Sequence, residues 1–389
     1  MLAIFLIFFF FTLSAIKSTY GLAFLIVTLS VNTTLLFGID VNFIIKILFF
    51  VSALWNFCKY GIRKDNIKLF GYSIGILMFS QILASYTINY SLIVAVQAMM
   101  SIIIGIILVS VEFKADDRIF LLKVISGLPY FSIIFGMYSF RSLAFGGRYS
   151  AGTTPTNLAF LCAVSVVSLV SLYNRMKRNR YIILAIFSFV ICFFTLTRGG
   201  ILFCTIILLP CFADFIKKLK KSQFVALSIC LIVIIVAIIN NWQQLIQRMY
   251  TDTGEINSSG RLAAWNYILS LNKKIWVGEG FGKLFTLTFR GRYVDHFNAA
   301  HNEFVRFYYE AGILGCVLLL IMFIKIFKNY INGNELNKTQ TIMIIIAFII
   351  YSLVDNTISN YVFFIPFMLY LNTACLIENC RRIIVKWRK

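Results

Sequence analysis

Apolar runs of membrane-spanning length recur along almost the whole chain, and they restrict it more than any other feature. A run of about 17–25 apolar residues fits the hydrocarbon core of a bilayer as a helix, because no water is present there to satisfy an open backbone. Such runs lie near 2–16, 20–38, 42–58, 69–88, 90–111, 119–140, 154–173, 181–197, 199–216, 224–240, 311–328, 340–355 and 359–377. The first two are separated by Lys17-Ser18-Thr19 alone, so twelve spans fit as well as thirteen. The expected fold class is all-α: a polytopic membrane protein with about 12–13 transmembrane helices. It would form one integrated domain made of an N-terminal bundle (1–240), a large, partly helical loop (241–310), and C-terminal helices with a basic tail (311–389).

Charge sets the orientation. Lys and Arg number 36 against 15 Asp and Glu, giving a formal net charge of +21. This excess gathers in short breaks, at Lys59 to Lys68, Arg175 to Arg180, Lys217 to Lys221 and Arg381 to Lys389. That is the pattern of cytoplasmic loops rather than of a nucleic-acid surface. If 59–68 is inside, alternation also puts 112–118, 174–180, 217–223, 329–339 and the C-terminus inside. It puts 39–41, the turn at Asn89, 141–153, the turn at Arg198, 241–310 and 356–358 outside.

The nine cysteines fall in or at the ends of apolar runs with no CxxC spacing, so neither a disulfide framework nor a zinc site is expected. The N-terminus has no basic n-region and no small-residue cleavage site, and reads as a retained first span. The four prolines, 129, 155, 210 and 366, lie within or beside spans, where a helix can kink and be re-satisfied by its neighbours.

Three residues on the outer side could carry chemistry. Arg198, in FFTLTRGGILF, stands between two apolar runs with almost no loop, so it must face protein, water or a bound anion. A snorkelling interfacial arginine is the alternative. Gly199 and Gly200 would let a ligand or another backbone come close. Arg261 follows the candidate caps Ser258 and Ser259 and falls in the first turn of a helix, where a guanidinium and free backbone N–H groups favour an anion. His301 opens the helix NEFVRFYYEAGIL. Helical spacing puts it on one face with Phe304, Val305, Tyr308 and Gly312, expected to pack inward, with Glu303, Arg306 and Glu310 opposite as an ion-pair ladder. A neutral imidazole there can take a proton from a hydroxyl.

His296, Arg290, Arg292 and Arg306 are secondary candidates. GEGFGKL lacks the strand and GK[ST] of a phosphate loop and reads as a turn back toward the membrane. Asp116-Asp117 sits on the opposite side. No His and carboxylate cluster has metal-ligand spacing, so no metal and no cofactor are expected.

Arginines and one histidine converging on the outer face suit a phosphate-bearing substrate that needs an activated hydroxyl, and a diphosphate lipid is the natural candidate. TRGG, then GRLAAW with VGEGFG, then AHNEF with EAGILG, together resemble the O-antigen ligase and O-antigen polymerase family of bacterial membrane glycosyltransferases. The motifs cover about 195–320. The resemblance implies that 241–310 is periplasmic, that the protein sits in the inner membrane, and that the donor is an undecaprenyl-diphosphate-linked oligosaccharide. It implies that Arg198 and Arg261 hold the diphosphate and that His301 is the base. Arg148, in GGRYSAGTTPTN, resembles a further outer arginine of the family through a looser match. A chain-length regulator and a flippase would be partners. Asn298-Ala299-Ala300, where ligases carry a second His or Pro, tilts the reading to polymerase over ligase. A transporter or flippase is the reading from another class.

Overall fold

The computed structural model describes residues 2–33, 41–63, 66–87, 90–138, 144–145, 148–216, 261–289, 292–293, 301–333 and 338–375, with isolated positions at 222–239 and 336. Among them the regular structure is helical, apart from two short antiparallel hairpins and two isolated bridges. Fourteen α-helices are described. They are α1 (Leu2–Ile16), α2 (Ser18–Thr28), α3 (Asn42–Tyr60), α4 (Ile67–Gln81), α5 (Leu92–Ser110), α6 (Ala115–Ser126) and α7 (Leu128–Tyr138). After the hairpin β1 (Ala144–Phe145) and β2 (Arg148–Tyr149) come α8 (Pro155–Met176), α9 (Asn179–Phe194), α10 (Arg198–Ile216) and α11 (Arg261–Leu271). A 3-10 turn (Lys283–Thr286) and the hairpin β3 (Thr288–Phe289) and β4 (Arg292–Tyr293) lead to α12 (Glu303–Gly333), α13 (Lys338–Val354) and α14 (Tyr361–Thr373).

Each apolar run that falls on described residues is helical, so the all-α polytopic class holds. Four helices are long and apolar enough to cross a bilayer alone, α3, α5, α8 and α12. The pair α6 and α7 makes a fifth, bent by 46°. The bend falls at Gly127, one residue before Leu128-Pro129, where the missing proline N–H interrupts the ladder. Six further apolar helices are shorter, at 10–17 residues. Lys17 is extended (φ −157°, ψ 127°), so the first two apolar runs are two helices packed on each other. The run at 224–240 lies largely outside the described residues.

Burial follows the sequence. α8 and α14 are apolar all round and are the most enclosed helices, as such helices must be. α8 packs on α9 and α10, α5 on α14, α10 on α13, and α4 on α12. The outward faces of α1, α4 and α12 expose Phe8, Ile74 and Ile324, an apolar surface that belongs against lipid.

The breaks sort into two ends, as the basic loops predict. At one end Lys17 pairs with Asp117 at 2.5 Å, Arg63 donates to Asn372 at 3.0 Å, and Arg118 donates to the Cys375 carbonyl at 2.8 Å. Asn329 donates to Asn66 at 2.7 Å and Asn174 to Gln340 at 3.1 Å at the same end. At the other end Asn32 N–H donates to Gly152 at 2.9 Å, Tyr361 to Asn42 at 2.8 Å, and Tyr90 to the Phe281 carbonyl at 3.0 Å. Arg148, Arg198, Arg261 and His301 lie at this second end.

Candidate functional site

α12 is broken by design at Gly312 (φ 63°, ψ −167°), a conformation open to glycine alone. A Cβ there would meet the Trp276 carbonyl at 2.5 Å. The break frees backbone groups that the segment from Ile275 to Gly280 satisfies one for one. Glu279 and Gly280 N–H donate to the Tyr309 and Glu310 carbonyls at 2.9 and 3.1 Å. Ile313 and Leu314 N–H donate to the Ile275 and Trp276 carbonyls at 2.9 and 3.0 Å. The glycine segment is therefore a splint for a broken helix, in line with the turn expected from its sequence, and it fixes the start of α12.

That start faces the opposite way from the expectation. Helical spacing alone puts Phe304 inward and Glu303, Arg306 and Glu310 outward. In the structure Phe304 is 44% exposed, while Glu303, Arg306 and Glu310 are 1%, 3% and 0% exposed. Outside the bundle is an apolar medium, so the polar stripe turns in and finds partners. Glu303 accepts from the Ile358 and Ser359 N–H groups at 2.8 and 2.7 Å and from the Ser359 hydroxyl at 2.7 Å. Arg306 pairs with Glu310 at 3.1 Å and lies 4.6 Å over the Phe285 ring. Arg306 thus stands in a buried pair, apart from the other arginines.

His301 precedes the helix rather than opening it. Asn302 caps it, its side chain accepting from Phe304 and Val305 N–H at 3.0 and 3.1 Å. This leaves the imidazole Nδ1 2.5 Å from Asp355 Oδ1, which also accepts from Asn356 N–H at 2.9 Å. Asp355 was legible only as an acidic residue at the edge of an apolar run. An ionisable group in that position calls for a named partner, and His301 is that partner. A carboxylate on Nδ1 takes the ring N–H there and leaves Nε2 as the basic nitrogen.

Arg261 reaches the same turn, while Arg148 and Arg198 lie at the turn ahead of α10. Arg261 Nη1 donates to the Val354 carbonyl at 2.7 Å, capping the C-terminus of α13 one residue before Asp355. Burial lowers the affinity of this guanidinium for its proton, Asp355 opposes that, and the nearby Arg198 adds to it. Arg198 begins α10 and is exposed. Gly199 and Gly200 admit α13 and α8 rather than a ligand. A Cβ on Gly199 would meet Tyr351 at 2.7 Å, and one on Gly200 would meet Ala159 at 2.9 Å. Arg148 clamps the turn ahead of Arg198, donating to the Thr195 carbonyl at 2.8 Å and the Thr197 hydroxyl at 2.6 Å. Leu196 between them holds a left-handed φ of 51°, a strained state for a leucine that this clamp stabilises.

Arg290 and His296 lie outside the described residues, as do Ser258 and Ser259. Arg292 is described only as a strand position opposite Phe289. Among the described residues no group of three or more His, Cys, Asp or Glu is placed to hold a metal. Asp117 lies at the far end, bonded to Lys17, Thr19 and Tyr60.

An apolar groove of about 720 Å³ runs along α12 and α13. Phe304 and Ile358 line it beside the His301 end, and Lys328 and Asn332 line it at the other.

The molecule is a polytopic α-helical membrane protein with a charged site at one end of its bundle. Residues 183–320 match the family described as O-antigen ligase. The matched stretch holds Arg198, Arg261 and His301 and leaves out Arg148 and Asp355. No curated protein matches the chain.

Proposed function

We propose that this chain is a surface-polysaccharide polymerase that joins undecaprenyl-diphosphate-linked repeat units at the periplasmic face of the bacterial inner membrane. The observation that carries the reading is the His301–Asp355 pair, 2.5 Å apart, with Arg261 anchored one residue from Asp355 and Arg198 beside it. The end rich in lysine and arginine is then cytoplasmic, and 241–310 is the periplasmic loop between the 1–240 and 311–389 bundles.

Asp355 holds the imidazole so that Nε2 takes the proton of an acceptor-sugar hydroxyl. The freed oxygen attacks the anomeric carbon of the donor, the bond from that carbon to the diphosphate oxygen breaks, and undecaprenyl diphosphate departs with the electron pair. Arg198 and Arg261 meet its charge with guanidinium forks, which supply charge and geometry without a metal. One displacement inverts the anomeric centre. The apolar groove supports a lipid-borne donor, because it brings an isoprenoid tail from the membrane to this end.

A ligase, which would pass the glycan to lipid A core, is favoured by the description of the matching family. Asn298-Ala299-Ala300 in place of a His or Pro favours the polymerase. Deleting the gene and resolving the surface glycan on a gel decides between them. A single repeat on the core means a lost polymerase, and bare core with unused polymer means a lost ligase. A flippase would instead leave lipid-linked units on the inner leaflet.

A further inference from the structure

Beside the 355–360 turn lies a polar pocket of about 240 Å³. Five asparagines line it: Asn32, Asn42, Asn157, Asn356 and Asn360. They come from four separate parts of the chain. Lys46, Phe285 and Ser359 also line a second, adjoining pocket of about 220 Å³, where Gln97 adds a sixth amide. Among the described residues none that lines either pocket is acidic.

Amide side chains both donate and accept, as sugar hydroxyls do, and they suit such a ligand better than a phosphate. Part of the lining is held in place. Asn360 donates to Asn157 at 3.1 Å, and Tyr361 donates to Asn42 at 2.8 Å. Phe285 supplies an apolar wall, its other side covered by the buried Arg306–Glu310 pair, with the guanidinium 4.6 Å from the ring. This gives Arg306 a positioning part in the wall of the pocket. Each pocket is smaller than the roughly 300–1,000 Å³ of a drug-sized ligand site and is of a size for one or two sugar rings.

The pocket is tied to the site by two hydrogen bonds. Asn356 N–H donates to Asp355 at 2.9 Å, and the Ser359 hydroxyl donates to Glu303, two residues from His301, at 2.7 Å. The pocket lining is therefore joined, through Asp355 and Glu303, to the segment that carries His301, and it shares no lining residue with the apolar groove. The geometry points to a binding subsite for the acceptor glycan, recognised through sugar hydroxyls by the asparagine cluster and by Phe285. This rests on the glycosyl-transfer reading.

The test uses the purified full-length protein in detergent and the repeat-unit oligosaccharide released from the host's own surface polysaccharide by mild hydrolysis, which carries no diphosphate. Saturation-transfer NMR reads binding to wild type, to Asn356→Ala/Gln97→Ala and to His301→Ala. Two lost neutral hydrogen bonds weaken binding about 5- to 100-fold, and raise the acceptor KM by the same factor with kcat held. His301→Ala keeps the binding signal and loses polymer formation. Equal signals from wild type and the double variant, with matched melting temperatures, overturn the subsite. Polymer formation by His301→Ala overturns the glycosyl-transfer reading and leaves the binding result standing. Should the double variant melt early, Gln97→Leu alone is measured against the same two outcomes.

Discussion

His301 Nδ1 lies 2.5 Å from Asp355 Oδ1, although 54 positions separate the two residues in the chain. The contact joins the start of α12 to the end of α13. It also gives the histidine a fixed direction, with Nδ1 held by the carboxylate.

Replacing Asp355 by Asn keeps the shape and changes the hydrogen bond. An amide can donate to Nδ1, so Nε2 then carries the proton and ceases to be basic. Glycan transfer falls about 10²–10⁴-fold, the usual contribution of a positioned acid–base group, while substrate KM stays put. Steady-state rates on lipid-linked substrate check this, with the melting temperature as a control.

The two site arginines separate by their environment. Arg198→Ala removes an exposed cation and lowers transfer with little change in stability. Arg261→Ala also strips the cap from the Val354 carbonyl, a charged hydrogen bond worth about 1.5–3 kcal/mol. Its melting temperature in detergent therefore falls as well as its rate. Arg261→Lys restores charge and not the fork, so it recovers stability better than activity.

The buried pair of α12 responds asymmetrically. Glu310→Ala takes the paired carboxylate from the buried Arg306 guanidinium, a loss of about 3–5 kcal/mol. Arg306→Leu/Glu310→Leu removes both charges and regains most of that stability. Thermal unfolding of the three proteins checks the order.

Gly312→Ala sets a side chain against the Trp276 backbone, 2.5 Å away, at a backbone conformation that glycine alone adopts. Strain of this kind costs about 1–3 kcal/mol before the clash is added. The variant accumulates poorly in membranes, as an immunoblot of membrane fractions shows, and what folds has lost the His301–Asp355 register.

Much of this was legible in the sequence. The apolar runs locate the helices, and the basic breaks assign them to two ends, because hydrocarbon thickness and charge act on short stretches of chain. Arg148, Arg198, Arg261 and His301 lie at one end of the bundle, and the sequence pattern groups their breaks at a common end without showing their contacts. Asp355 was passed over because its role exists only through a contact far away in the chain. The inward face of α12 was read in reverse because helical spacing fixes which residues share a face and not which medium that face meets. Glu303 and Arg306 look like surface residues to a rule made for water. The pairing of VGEGFG with EAGILG was also hidden, since it consists of backbone hydrogen bonds that no side-chain pattern reveals.

On the proposed reading His301, set by Asp355 and flanked by Arg198 and Arg261, transfers a glycan from a lipid diphosphate. The most direct measurement reconstitutes the protein in vesicles with undecaprenyl-diphosphate-linked repeat units and follows both the released lipid diphosphate and the length of the glycan. Wild type should release one lipid diphosphate per bond formed, with lengthening chains, and His301→Ala and Arg261→Ala should release none above background. Equal release and equal chain length from wild type and both variants would contradict it.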